Sequence, residues 1–307
     1  MSSYHRYIDP KYLKHTLRLK AQSRKLKSSN SGKPYEVYRD LTPVSVPDYK
    51  LLFQDRYLSF DYFADTSHAK LYYKDSNALI SRVIELLVYY NEFGCDDQFL
   101  KSVDEVTTKA ERVGKSLVHR EDSAYQKFDM KSSAISGILH AKLLSTALRA
   151  HLHTDGGKYL TVAKGYLNAL QITVAEEGPF RILQENIVWL EEYPSAQPTM
   201  VLNGHLFGLI ALAEYVAITN DKEVQQIFED CLRSTFTYLP HFWQGDNLLY
   251  SMYHWDFCNV HYLAIVHFQF VHLHKLTGIS YFQVEADRLR SECPWPIFDR
   301  LMGKPLL

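Results

Sequence analysis

Four stretches of helical apolar periodicity, each closed by a Gly- or Asn-bearing turn and followed at once by another helix, constrain this chain more than any other feature. The turns fall at residues 91–95, 154–157, 219–221 and 277–280. With Gly94, Gly156, Asn220 and Gly278 as markers, the spacings are 62, 64 and 58 residues. Gly and Asn tolerate the left-handed conformation that ends a helix, so each marker reads as a C-terminal cap. One α-hairpin cannot bury its apolar face alone, and repetition at near-constant spacing therefore implies stacking. The spacing predicts a mainly α fold, an α/α toroid or incomplete barrel of about four helical hairpins, over residues 75–307.

The links between hairpins, roughly residues 119–132, 175–198 and 239–256, are longer than the turns within them. Chain geometry puts all three links at one end, opposite the short turns. Long loops gathered at one end of a helical barrel make a ligand mouth.

Two segments precede the repeats. Residues 1–34 carry nine Lys and Arg against Asp9, a charge of +8 that leaves the remainder at -9. They read as a basic helical arm, which is more often a solvated face than a polyanion site. Residues 35–74 are punctuated by Pro43 and Pro47 and hold alternating runs, Tyr35 to Tyr38 and Tyr57 to Phe60, that predict short strands or extended chain. The overall charge of -1 gives no global pull toward nucleic acid or a membrane surface. No apolar run reaches the roughly 20 residues of a membrane span; the most apolar stretch, 199–219, is broken by Asn203, His205 and Glu214. The start, Met1 to Arg6, has no apolar signal core, and the expected location is cytoplasmic. Cys95, Cys231, Cys258 and Cys293 fit no metal spacing and read as reduced thiols.

The links are rich in residues that suit a sugar. The first holds Tyr125, Phe128, Asp129 and Lys131. The second holds Arg181, Trp189, Glu191, Glu192, Tyr193 and Pro194, with Asn203 and Gly204 opening the next helix. The third holds Trp243, Tyr250, Tyr253, His254, Trp255 and Asp256, with His261 shortly beyond. Flat aromatic faces and polar hydroxyl partners are what a carbohydrate cleft needs, although wet loops of a Tyr-rich protein would share them.

Glu191-Glu192-Tyr193-Pro194, followed after a short stretch by Val201-Leu202-Asn203-Gly204 and an apolar helix, resembles the C-terminal domain of the D-glucuronyl C5-epimerases. Ser145-Thr146 with Arg149-Ala150, Tyr250, and Trp255-Asp256 extend the resemblance over roughly residues 130–290. Such enzymes invert D-glucuronate to L-iduronate within a polysaccharide such as heparosan. The resemblance implies Tyr193 and Tyr250 as proton-transfer residues with Glu192 beside them. An acidic polysaccharide is the implied partner and no organic cofactor is implied; a homodimer is left open. The chain departs from the family at Phe257, where the family has Tyr, and at Tyr253, where it has the Arg that would hold the uronate carboxylate. Tyr253 is then the substitute hydroxyl, and Lys131, Lys142, Arg181 or His261 the substitute cation. Trp189, Asn203, His254, Trp255 and Asp256 complete the expected substrate-binding set. A uronate lyase, which begins with the same carbon 5 proton removal, and a non-catalytic glycan-binding protein are the alternatives.

Other features have plainer readings. His261, His267 and His274 lie six and seven residues apart on one helix, not the four that metal pairs prefer, and no metal-ligand set is apparent. Glu191 and Glu192 are adjacent and point apart, so one faces the cleft. Asp256 also reads as the N-cap of the last inner helix. Residues 293–296, Cys-Pro-Trp-Pro, read as a helix stop.

Overall fold

The structure, a computed structural model, describes residues 10–51 and 79–292. Helix α1 spans Pro10–Ser29 and α2 Pro34–Val37. Four hairpins follow: α3 (Leu79–Phe93) with α4 (Asp97–Thr108), α5 (Gly137–Leu152) with α6 (Lys158–Leu170), α7 (Leu202–Thr219) with α8 (Lys222–Phe242), and α9 (Val260–Thr277) with α10 (Ser280–Glu292). Gly94, Asn220 and Gly278 cap their helices with positive φ, between 54° and 78°, as the sequence predicts; Gly156 does not, because α5 ends earlier, capped by His153, and Gly156, with φ of 90°, lies in the turn to α6. The second helix of a hairpin is started by an acidic cap in two cases. Asp96 accepts from the Phe99 amide at 2.8 Å, and Asp221 accepts from the Glu223 and Val224 amides at 3.1 and 3.3 Å.

Helices α3, α5, α7 and α9 pack in chain order, each on the next, and each is backed by its own hairpin partner. That order is the one an α/α toroid requires. Residues 137–150 of α5 and 202–216 of α7 are buried on every side. Each fully buried leucine there, such as Leu144, Leu148, Leu206 or Leu209, contributes roughly 2 kcal/mol. Among the described residues α7 alone is long and apolar enough to cross a membrane, and most of it is buried inside the protein, as a core helix is.

Three antiparallel β-hairpins accompany the links: β1 (Glu111–Val113) with β2 (Ser116–Val118) just before the first, β3 (Phe180–Gln184) with β4 (Ile187–Leu190) in the second, and β5 (Trp243–Gln244) with β6 (Asn247–Leu248) in the third. The alternating run Tyr35 to Tyr38 is not a strand. Pro34 at the first helical position, with Glu36 reaching back to the Lys33 amide at 2.9 Å, makes a single helical turn, and residues 41–51 run on without regular structure. The run Tyr57 to Phe60 and the stop at 293–296 lie outside the described residues.

Helix α1 does not stand off in solvent. Ser23 Oγ donates to the Trp255 carbonyl, Lys27 Nζ lies 2.7 Å from Asp256, and the Trp255 indole donates to the Gly32 carbonyl at 3.1 Å. The Tyr35 amide donates to the Met252 carbonyl at 3.1 Å. The arm is thereby fastened over the third link.

Candidate active site

All three links meet at one place. The Phe128 ring of the first stacks on Tyr193 of the second, centroids 4.8 Å apart and nearly parallel, and its edge meets Tyr253 of the third at 5.7 Å. Tyr125 adds a second ring at 4.8 Å from Tyr193. Residues Val201 and Ser251 bridge the second and third links.

The two adjacent glutamates take opposite parts. The Glu191 carboxylate accepts from Arg181 Nε at 2.5 Å, from the Thr199 and Met200 amides at 3.1 and 2.8 Å, and from the Thr199 hydroxyl. That set satisfies a fully buried carboxylate and cinches the loop after β4. Arg181 also donates to the Ser195 and Gln197 carbonyls at 2.6 and 3.2 Å, so its fork is spent on the loop. It does not reach the cleft expected for a substrate cation.

Glu192 points the other way, into the end of the helical stack. Its neighbours are Tyr193, Lys142 of α5 and Asn203 of α7. Burial pushes its carboxyl up to about 7, and hydrogen bonding from Tyr193, the Lys142 charge and Asn203 only partly offset this. The segment that bears it, just after β4, is pinned to the start of α5: the Gly137 amide donates to the Glu191 carbonyl at 3.0 Å and Ser136 Oγ to the Glu192 carbonyl at 3.1 Å.

Tyr250 is buried and Tyr193 half-buried. Burial, and then the Glu192 charge, hold each phenol well above its usual value, and the two hydroxyls are linked to each other. Tyr262, in the first turn of α9, lies with its ring 4.6 Å from Tyr250, and a charge on it would push both Tyr193 and Tyr250 further up. Nothing in the link motifs singles Tyr262 out. Its only local signal is the cap three residues earlier, Asn259, which accepts from the Tyr262 amide at 3.1 Å. Asp256 therefore does not cap this helix.

Lys142, Ser145 and Arg149 form one stripe of α5, facing Phe207, Ile210 and Glu214 of α7 across a small cavity. Lys142 Nζ sits 3.3 Å from the Phe207 ring centre, and burial drives its pKa well below the usual lysine value against the pull of Glu192. Of the four substitute cations named from sequence, Lys142 is the one beside Glu192. Lys131 is exposed, 3.6 Å from Glu177, and His261 is half-buried beside Tyr262.

The remaining sequence candidates divide. Asn203 belongs to the cluster. Tyr253 is turned aside: its hydroxyl bonds Asp129, Lys33 Nζ covers its ring at 3.0 Å, and burial with Asp129 pushes its phenol up to about 12. His254 donates to the Lys127 carbonyl at 3.0 Å. Trp255 and Asp256 are the arm's docking point, and Lys127 joins Asp256 at 3.5 Å. Burial alone would raise Asp256; the bond from Lys27 and the charges of Lys127 and Lys27 outweigh it and hold the carboxyl low. Trp189 is no sugar platform. It is fully buried, stacked on His205 at 3.8 Å and on Phe242 at 5.8 Å, because β4 places it under the sheet against α7 and α8.

Stacked helical hairpins with a buried carboxylate among phenols at their loop end define the class of this protein. The family model for the D-glucuronyl C5-epimerase C-terminus matches residues 114–291, and the chain belongs to that family. It is 27% identical over 199 residues to a D-glucuronyl C5-epimerase of Caenorhabditis elegans, a match covering 61% of this chain and 32% of that protein. It is 25% identical over 165 residues to an uncharacterised protein of Methanocaldococcus jannaschii, 53% of each chain. The chain thus spans about half the length of one relative and about a third of the other.

Proposed function

We propose that this protein inverts carbon 5 of glucuronate residues in an acidic polysaccharide, D-glucuronate to L-iduronate. The observation that carries the reading is Glu192, a buried carboxyl with a pKa of about 7 set among Tyr193, Lys142 and Asn203. A proton beside a carboxylate is removed best by a base whose pKa lies near the working pH. Glu192 meets that condition. Tyr193 and Tyr250, the proton carriers implied by resemblance, are held protonated and serve as donors to the developing charge. Lys142 is the cation that faces Glu192. An arriving uronate carboxylate would add negative charge beside it and favour its ammonium form, which in turn stabilises the enolate.

The test is incubation of the protein with heparosan in heavy water, reading deuterium at carbon 5 and iduronate by NMR. Deuterium incorporation with unchanged chain length, lost in Glu192→Gln, is expected. Chain shortening with an ultraviolet-absorbing unsaturated end would replace the epimerase reading with a lyase. Neither change on heparosan or on other glucuronate polymers would sink both.

A further inference from the structure

We propose that Tyr262 carries the second proton of this reaction, delivering it to the face of carbon 5 opposite Glu192. The inference rests on the epimerase reading and deepens it. Inversion needs two proton-bearing groups on two sides of one carbon. Glu192 lies against α7 and α5, whereas Tyr262 comes from α9, the other neighbour of α7.

Three features single out Tyr262. Its half-buried ring packs on Tyr250 at 4.6 Å, and a charge on it is felt by both Tyr193 and Tyr250. Its position is rigid, because the Asn259 cap fixes the first turn of α9 at the loop end. The other nearby hydroxyl on this side, that of Tyr253, is already committed to Asp129, and position 257 is Phe.

The proton inventory closes. The C5–H bond breaks, its proton goes to the Glu192 carboxylate, and the electron pair moves into the substrate carboxyl as an enolate. That pair then forms a new C5–H bond on the opposite face with the proton of the Tyr262 hydroxyl, leaving a phenolate. The glutamic acid then gives its proton to water and the phenolate takes one from water, which resets both groups and is the route by which solvent deuterium reaches carbon 5.

Tyr262→Phe tests this on heparosan in heavy water. Iduronate formation is expected to fall by about 10²- to 10⁴-fold. Deuterium should still enter glucuronate with retained configuration, because Glu192 can remove and return a proton on its own face. Binding of heparosan by calorimetry should stay within about threefold, since the ring remains. Should the variant fold poorly, 3-fluorotyrosine at position 262 keeps the ring and makes the phenol more acidic, and the pH profile of inversion should move down. Iduronate formation near the wild-type rate, equal loss of inversion and retained exchange, or an unmoved profile would each overturn the role of Tyr262 while leaving the epimerase reading in place. A wild-type protein with no exchange would overturn both.

Discussion

A β-carbon on Gly204 would lie 2.5 Å from Glu192 Cβ and 2.7 Å from Glu192 Oε2. The first turn of α7 is thus the floor on which the Glu192 carboxyl rests, and the last residue of the Val-Leu-Asn-Gly motif is glycine because a carboxylate occupies the space a side chain would fill.

Gly204→Ala should therefore displace the Glu192 carboxyl rather than disturb the helix, whose backbone there is ordinary. Overpacking costs about 1–3 kcal/mol. A shift of the base by about an ångström costs about 10²-fold in turnover. Steady-state kinetics on heparosan should show the loss in kcat with KM little changed, and thermal melting should show a modest fall.

Glu192 also predicts a pH signature. Its folded value, about 7, lies above the 4.5 of a free glutamate, so the folded state favours the protonated carboxyl. The stability this contributes is fully present below about pH 4.5 and is lost as the pH rises through about 7. Glu192→Gln lacks the loss. Its melting temperature should match the wild type near pH 4.5 and exceed it at pH 8, by the equivalent of a few kcal/mol at most. Its exchange activity should be absent throughout, while that of the wild type rises through about pH 7.

Deeper in the stack Arg149 and Glu214 are both 1% exposed and 3.1 Å apart. Burial would raise Glu214, but the Arg149 charge and the hydrogen bonds of His272 and Arg149 hold it at about 2. Ser145 Oγ donates to the same carboxylate at 2.6 Å. Arg149→Met strands a buried charge and should cost about 3–5 kcal/mol in denaturant melts. Adding Glu214→Leu should recover most of it, because the stranded charge, and not the lost attraction, is the larger penalty. An unimproved double variant would show that the pair is net stabilising.

Much was legible in the sequence. The caps at Gly94, Asn220 and Gly278 are local chemistry: a left-handed residue ends a helix wherever the surrounding chain lies, and these three are where the spacing put them. Link length fixed which end would gather the loops, and the Glu-Glu-Tyr-Pro run held the buried carboxyl. Other matters depended on contacts between residues far apart in the chain. Which of two adjacent glutamates is clamped was decided by Arg181 and by the amides of 199 and 200. Trp189 is core because β4 lays it on His205, and Arg181 is a strut because Glu191 lies beneath it. Lys142 and Tyr262 stand 120 residues apart, on different helices, and only the packing of α5, α7 and α9 brings both to Glu192 and its phenols. Local propensity is written residue by residue, whereas burial, and with it the pKa of a carboxyl or a phenol, exists only once distant segments have closed around it.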